Sequence, residues 1–160
     1  MFEIGDQVFC PLRGCGKIEA IEKRTMLGEE KEYYIIQMVM AKMTVMVPID
    51  KIETSGFRHI SNEETAKKVL DFIADKSQDL TKSTPLKERL KENNAKLASG
   101  RLEDYGQVIK ELTARQKEKS LNSSENTMLL EARKLLIDEI SMIKVVPRHE
   151  VTAMLDSLLA

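Results

Sequence analysis

The sequence predicts an α+β fold with two domains: a small SH3/Tudor-like β-barrel, then an all-α domain of about five helices. Five of the seven glycines precede residue 58, among short alternating segments typical of strands. Beyond that point, apolar residues recur at the helical period. The 160 residues suffice for one ordinary domain or two small ones. We therefore expect domains at 1–57 and 58–160.

The first domain contains four segments with strand-like alternation or β-branched and aromatic content. They lie within residues 4–11, 16–21, 32–40 and 43–49. Four or five short strands in under 60 residues predict a small barrel. Pro48 should lie at a strand end or an edge, because proline cannot donate to a strand ladder. Met38 and Met40 share a strand face with Ile36, which favours core packing over contact with a partner.

The second domain begins with a predicted helix at 62–76. Ser61 and Glu64 have the spacing of a capping box at its start. After a polar connector at 76–83, Thr84 and Pro85 predict a cap and a proline in the first turn of the next helix. That helix should stop at Ser99-Gly100. Three further helices follow. Apolar residues at the helical period mark the third from Leu102 to Leu112 and the fifth from Val151 to Leu158. The fourth has cap residues at 121–125 and an apolar stripe from Leu129 to Ile143.

The composition excludes several classes of protein. The chain is 42% hydrophobic and 32% charged with a net charge of -1, which disfavours both disorder and a uniformly basic nucleic-acid binder. The longest apolar run, 33–41, contains Gln37 and falls short of the ~20 residues of a membrane span. The N-terminus has neither the basic head nor the apolar stretch of a signal peptide. We expect a cytoplasmic protein without membrane contact, whose cysteines are thiols.

Catalytic and metal chemistry find little support in the sequence. A closed zinc site needs about four ligands in compatible spacing, whereas Cys10, Cys15, His59 and His149 are scattered over both halves. The segment 13–17 resembles a phosphate loop but lacks the Walker spacing and a following helix, so we expect a tight turn. Carboxylates alternate with basic residues on helix faces. We expect no catalytic residues, no metal and no cofactor, and we expect that the protein is not an enzyme.

An excess of positive charge is concentrated in one part of the predicted helical domain. The window 82–119 holds ten basic and six acidic residues. Lys87, Arg89 and Lys91 can project near the start of the second predicted helix, where backbone N–H groups also favour a phosphate. They can equally form ion pairs with Glu88 and Glu92 on the surface of the same helix. Composition leaves both interpretations open.

A longer pattern extends over nearly the whole chain. Its first part is Gly5-Asp6-x-Val8-x-x-Pro11-x-x-Gly14-x-Gly16-x-Ile18, with Arg24-Thr25, Gly28-Glu29-x-Lys31-Glu32-Tyr33-Tyr34 and Thr44-Val45-x-Val47-Pro48. This part resembles the RNA-polymerase-interacting domain of CarD-type bacterial transcription regulators, which is related to a module of the transcription-repair coupling factor. The second part includes Arg89-x-x-x-x-Asn94-x-x-Leu97-Ala98-Ser99-Gly100 and Met128-Leu129-x-x-Ala132-Arg133. It resembles the helical CarD domain.

The resemblance implies a non-enzymatic regulator of transcription initiation. The barrel would pair a strand with the β subunit of RNA polymerase. The helical domain would touch promoter DNA at the upstream edge of the bubble and stabilise the open complex, with little sequence readout. This is physically coherent, because tethering to polymerase compensates for weak intrinsic DNA affinity. We expect a monomer.

The resemblance also suggests which residues make these contacts. Those expected to bind polymerase are Arg24, Thr44, Met46 and Pro48, and those expected to bind DNA are Leu86, Lys87, Arg89 and Lys91. The chain departs from the family at Met46, where arginine is common, and at Leu86, where many members carry a tryptophan wedge. Two alternatives stay open: a polymerase-binding or other protein-interaction module with no productive DNA contact, and RNA binding by the barrel.

Overall fold

The computed structural model describes residues 1–40, 42–79 and 81–160. Ala41, the last residue of the longest apolar run, and Leu80, in the predicted connector, lie outside the described residues. The chain divides into two compact units, Met1–Ile60 and Ser61–Ala160. The first is built from strands and the second from helices, so the predicted α+β class is confirmed.

The first unit is a five-stranded antiparallel sheet with the strand order β4-β3-β2-β1-β5. The strands are β1 (Gln7–Cys10), β2 (Gly14–Met26), β3 (Glu29–Met38), β4 (Thr44–Pro48) and β5 (Arg58–His59), and a 3-10 turn, Ile49–Lys51, follows β4. The long hairpin of β2 and β3 extends further than the sequence indicated, because pairing continues to Met26 opposite Glu29.

The core of the sheet unit lies on one face of the sheet. Ile18, Tyr34, Ile36 and Met38 are fully buried there. Met38 packs in the core as predicted, whereas Met40 lies beyond the end of β3 and is half-buried. The rest of this core is formed by Phe2, Val8, Cys10, Val47 and Ile52.

A β-bulge interrupts the pairing of β2 with β3. Ile18 lies opposite Ile36, but the next paired residue of β2, Ala20, lies opposite Ile35. Glu19 is therefore an extra residue in β2. A bulge of this kind changes the face to which the following residues of the strand point.

Among its described residues the second unit has five helices, and the sequence predicted all of them. They are α1 (Glu63–Ala74), α2 (Leu86–Ser99), α3 (Leu102–Glu118), α4 (Ser123–Lys144) and α5 (Arg148–Leu159). Helix α3 packs against α1, α2 and α4. Gly100, at a φ of 74°, ends α2 as expected. Within the described ranges, no helix has both the length and the apolar character needed to cross a bilayer.

Two helix starts differ from the prediction by one residue. Asn62, not Ser61, caps α1, and its Oδ1 accepts a hydrogen bond from the Thr65 N–H at 2.8 Å. The Ser61 N–H instead donates to the buried Glu139 carboxylate at 2.7 Å, which holds Ser61 outside the helix. Pro85 occupies the cap position of α2 rather than its first turn. The fixed φ of proline suits that position as well.

Candidate functional site

The register of the sheet places the four predicted polymerase-binding residues on one face. Residues directly opposite each other in an antiparallel pair project from the same side. Met46 lies opposite Ile35, and Pro48 lies opposite Tyr33. Tyr33 in turn lies opposite Glu22, two residues before Arg24. We call this side of the sheet, which is opposite the core, the outer face; it carries Arg24, Thr44, Met46 and Pro48.

The outer face has an apolar centre that the sequence analysis did not single out. Tyr33 and Ile35 retain only 8% of their surface although they point away from the core. Met46 and Pro48 are half-buried beside them. A signal was present in the sequence: residues 33–36 are apolar at four consecutive positions, which is typical of a strand covered on both sides.

Arg24 lies beside this apolar centre and forms a solvent-exposed ion pair with Glu22. Its Nη2 is 2.6 Å from the Glu22 carboxylate, and the two side chains are 53% and 42% exposed. Directly across the hairpin lies Lys31, whose ammonium is 3.5 Å from Glu29. Exposed pairs of this kind contribute little to stability, typically about 0–1 kcal/mol. Arg24 can therefore exchange Glu22 for a partner's carboxylate at small cost.

Strand β4 forms one edge of the sheet. It is the outermost strand on one side, and the two-residue β5 is outermost on the other. An edge strand presents backbone N–H and C=O groups that can pair with a strand from another chain. Thr44, Met46 and Pro48 lie on this strand, so their side chains would border an added strand.

In the helical unit, Lys87 and Lys91 are exposed on the outward side of α2. They are one helical turn apart, opposite the stripe of Asn93 and Leu97 that packs inward. The i,i+4 ion pairs found among the described residues involve Lys67, Lys68 and Arg115, and the anticipated pairing of Lys87 and Lys91 with Glu88 and Glu92 does not occur there.

Arg89 points into the helical unit instead. Its Nε and Nη2 donate to the two carboxylate oxygens of Glu125, at 3.2 and 3.0 Å, and its Nη1 donates to the Thr84 carbonyl at 2.9 Å. The Arg89 and Glu125 side chains are only 18% and 3% exposed. A phosphate contact by Arg89 would leave a buried carboxylate uncompensated. We therefore assign Arg89 to holding α2 against α4 and exclude it from the candidate DNA surface.

Leu86 is the first residue of α2 and is 42% exposed. Its position continues the inward stripe of Leu90, Asn93 and Leu97, so part of its side chain is covered and part is open. Pro85, the cap residue of α2, makes no side-chain hydrogen bond to the first turn. The exposed part of Leu86 and the exposed side chains of Lys87 and Lys91 all lie in the first half of α2.

The remaining candidate ligands are dispersed. Cys10 and Cys15 are buried in the sheet unit, and burial raises the pKa of the Cys10 thiol, an effect that nearby Arg13 partly opposes. His59 packs edge-on against the Phe2 ring at 4.7 Å, and His149 lies in the first turn of α5. Within residues 1–40, 42–79 and 81–160, no group of three or more histidine, cysteine, aspartate or glutamate side chains is placed to hold a metal ion.

Fold and surfaces together define the class: a two-domain protein with a Tudor-like sheet unit that has β4 at one edge, followed by a helical unit whose α2 exposes Lys87 and Lys91. Residues 2–61 match the model of the CarD-like/TRCF RID domain, and residues 68–156 match that of the CarD C-terminal domain. The chain is also 36% identical, over 94% of its length and 97% of the relative's, to "Putative transcription factor YdeB" of Bacillus subtilis (strain 168).

The chain belongs to the CarD family. It is a CarD-type transcription regulator, and its first domain is of the kind that interacts with RNA polymerase. The resemblance seen in the sequence, including the Tudor-like fold of the first domain, is confirmed.

Proposed function

We propose that this regulator binds the β subunit of RNA polymerase through the outer face and the β4 edge, and stabilises the promoter open complex through sequence-tolerant DNA contacts of its helical unit. We further propose that it acts without catalysis. The observation that carries the proposal is the strand register, which brings Arg24, Met46 and Pro48 to one face beside an open sheet edge.

The outer face has the composition of a protein-binding surface. Interfaces combine an apolar, aromatic centre with a polar rim. Here the half-buried Met46 and Pro48 form an apolar patch beside the buried Tyr33 and Ile35. Arg24 and Lys31 lie at its border, each paired with a glutamate. A strand added at β4 would supply backbone hydrogen bonds, and the side chains on this face would select the partner.

The DNA half of the proposal depends on Lys87 and Lys91. Both ammonium groups are exposed at the start of α2, where they can approach phosphates without breaking an ion pair found among the described residues. Two such contacts give weak, salt-sensitive and sequence-tolerant binding. Tethering through the first unit would raise the effective DNA concentration enough to make that binding productive.

Binding of the isolated β subunit tests the first half. Arg24→Glu should weaken binding about tenfold or more, because a new carboxylate would face the partner's carboxylate. Arg101→Glu is the matched control, since Arg101 has a similarly exposed ion pair, with Glu103, on the helical unit. Wild-type affinity for Arg24→Glu would remove Arg24 from the interface.

Open-complex lifetime on a promoter tests the second half. The wild-type protein should lengthen the lifetime and extend the footprint at the upstream bubble edge. If it binds polymerase and changes neither, the protein is a polymerase-binding module without productive DNA contact.

A further inference from the structure

The tip of the β2–β3 hairpin has an unusual residue for its conformation. Met26 and Glu29 are the last paired residues, so Leu27 and Gly28 form a two-residue loop. Both have positive φ, 52° and 80°, as in a type I′ turn. Asparagine, aspartate and glycine are favoured at the first of these positions, and leucine is not.

Leu27 combines two unfavourable features. Its side chain is fully exposed, with a relative exposure of 105%, and its backbone is in the left-handed region. Neither feature contributes to packing of the sheet unit. Residues held in such conformations occur preferentially where they serve a function. An apolar side chain that the fold does not bury is available for a partner.

The tip is continuous with the outer face. Met26 projects from that face, and the Tyr33 hydroxyl donates a hydrogen bond to its sulfur at 3.5 Å. Met26 is half exposed and lies next to Leu27 in the chain. The half-exposed Met26 therefore links the tip to the buried Tyr33 and Ile35 of the outer face, beside the ion pairs of Arg24 with Glu22 and of Lys31 with Glu29.

We propose that Leu27 inserts into an apolar pocket of RNA polymerase, and that carboxylates around this pocket face Arg24 and Lys31. The inference rests on the proposed function, because it extends the polymerase-binding outer face to the hairpin tip. It assigns the anchor of this interface to a residue outside the Thr44–Pro48 strand. Anchors that enter a partner's pocket carry most of the binding energy in protein interfaces.

The decisive variant is Leu27→Asn, which gives the turn its preferred Asn-Gly sequence. Its melting temperature should equal or exceed that of the wild type, while its affinity for RNA polymerase should fall about tenfold. Leu27→Met keeps an apolar side chain and should retain affinity. Leu12→Asn is the matched control, because Leu12 is also exposed, has a φ of 67° and lies in the turn at the opposite end of β2. It should bind as the wild type does.

Arg24→Glu, measured in parallel, separates this inference from the proposed function. If Leu27→Asn keeps wild-type affinity while Arg24→Glu loses it, the tip is not an anchor and the proposed interface stands. Equal losses for Leu12→Asn and Leu27→Asn would also overturn the inference, because the effect would not be specific to the tip. If neither Arg24→Glu nor Leu27→Asn changes binding, both proposals fail.

Discussion

Arg89 and Glu125 form a bidentate ion pair that joins the first turn of α2 to the first turn of α4. The two hydrogen bonds are 3.0 and 3.2 Å long, and the carboxylate is almost completely buried. The pair shows why a basic residue near a candidate DNA surface need not face DNA. Its neighbours Lys87 and Lys91, on the same helix, are exposed.

Arg89→Ala should lower the free energy of unfolding by about 3 kcal/mol or more, because removing one partner leaves a buried charge uncompensated. Urea denaturation followed by circular dichroism measures this loss. In a double-mutant cycle with Glu125→Ala, the two losses should be less than additive. Unchanged stability together with weaker DNA binding would instead restore Arg89 to the DNA surface.

Lys87→Ala and Lys91→Ala should each reduce the salt dependence of promoter-complex formation by about one counterion. The slope of log affinity against log salt concentration, measured with polymerase and promoter DNA, gives this quantity. Lys67→Ala provides a control, since Lys67 is an exposed lysine on α1 that is 3.4 Å from Asp71. Slopes equal to that of the control would exclude both residues as phosphate contacts.

Leu86→Ala should shorten the open-complex lifetime if the open side of Leu86 acts as an apolar wedge between base steps. Leu86→Trp should lengthen it, because an indole offers more stacking surface. Leu130→Ala is a suitable control, as Leu130 is an exposed leucine on α4. A wild-type lifetime for Leu86→Ala, accompanied by a lower melting temperature, would show that Leu86 only packs within its own unit.

Gly106→Ala should destabilise the helical unit by about 1–3 kcal/mol despite the higher helix propensity of alanine. A Cβ at this position would lie 2.8 Å from Cγ1 of Val69, where α3 approaches α1. Thermal unfolding of the single variant and of the double variant with Val69→Ala checks this cause. Failure of the double variant to recover part of the loss would contradict the steric explanation.

The elements of the fold were largely predictable because they depend on local signals. The stripe of Leu102, Tyr105 and Leu112 marks α3, and Gly100 marks the end of α2. The cap of α1 was predicted one residue too early because Ser61 and Asn62 are both good capping residues. The choice between them involves Glu139, which is distant in sequence.

The candidate binding surfaces were only partly predictable. Exposure of Lys87 and Lys91 follows from the helical period, but the burial of Arg89 depends on a partner 36 residues away. The outer face depends on the pairing of three strands, and its centre at Tyr33 and Ile35 became apparent only from the register. Charge composition could not distinguish a structural arginine from an exposed lysine.

The bulge at Glu19 determines which face of the sheet the following residues of β2 occupy. Without the extra residue, the alternation that buries Ile18 would also send Arg24 towards the core side, and the cation would leave the face that carries Met46. The number of residues between Ile18 and Arg24 is therefore constrained more tightly than their chemical character. A substitution in this stretch leaves Arg24 on the outer face, whereas deletion of one residue would turn its side chain towards the core side.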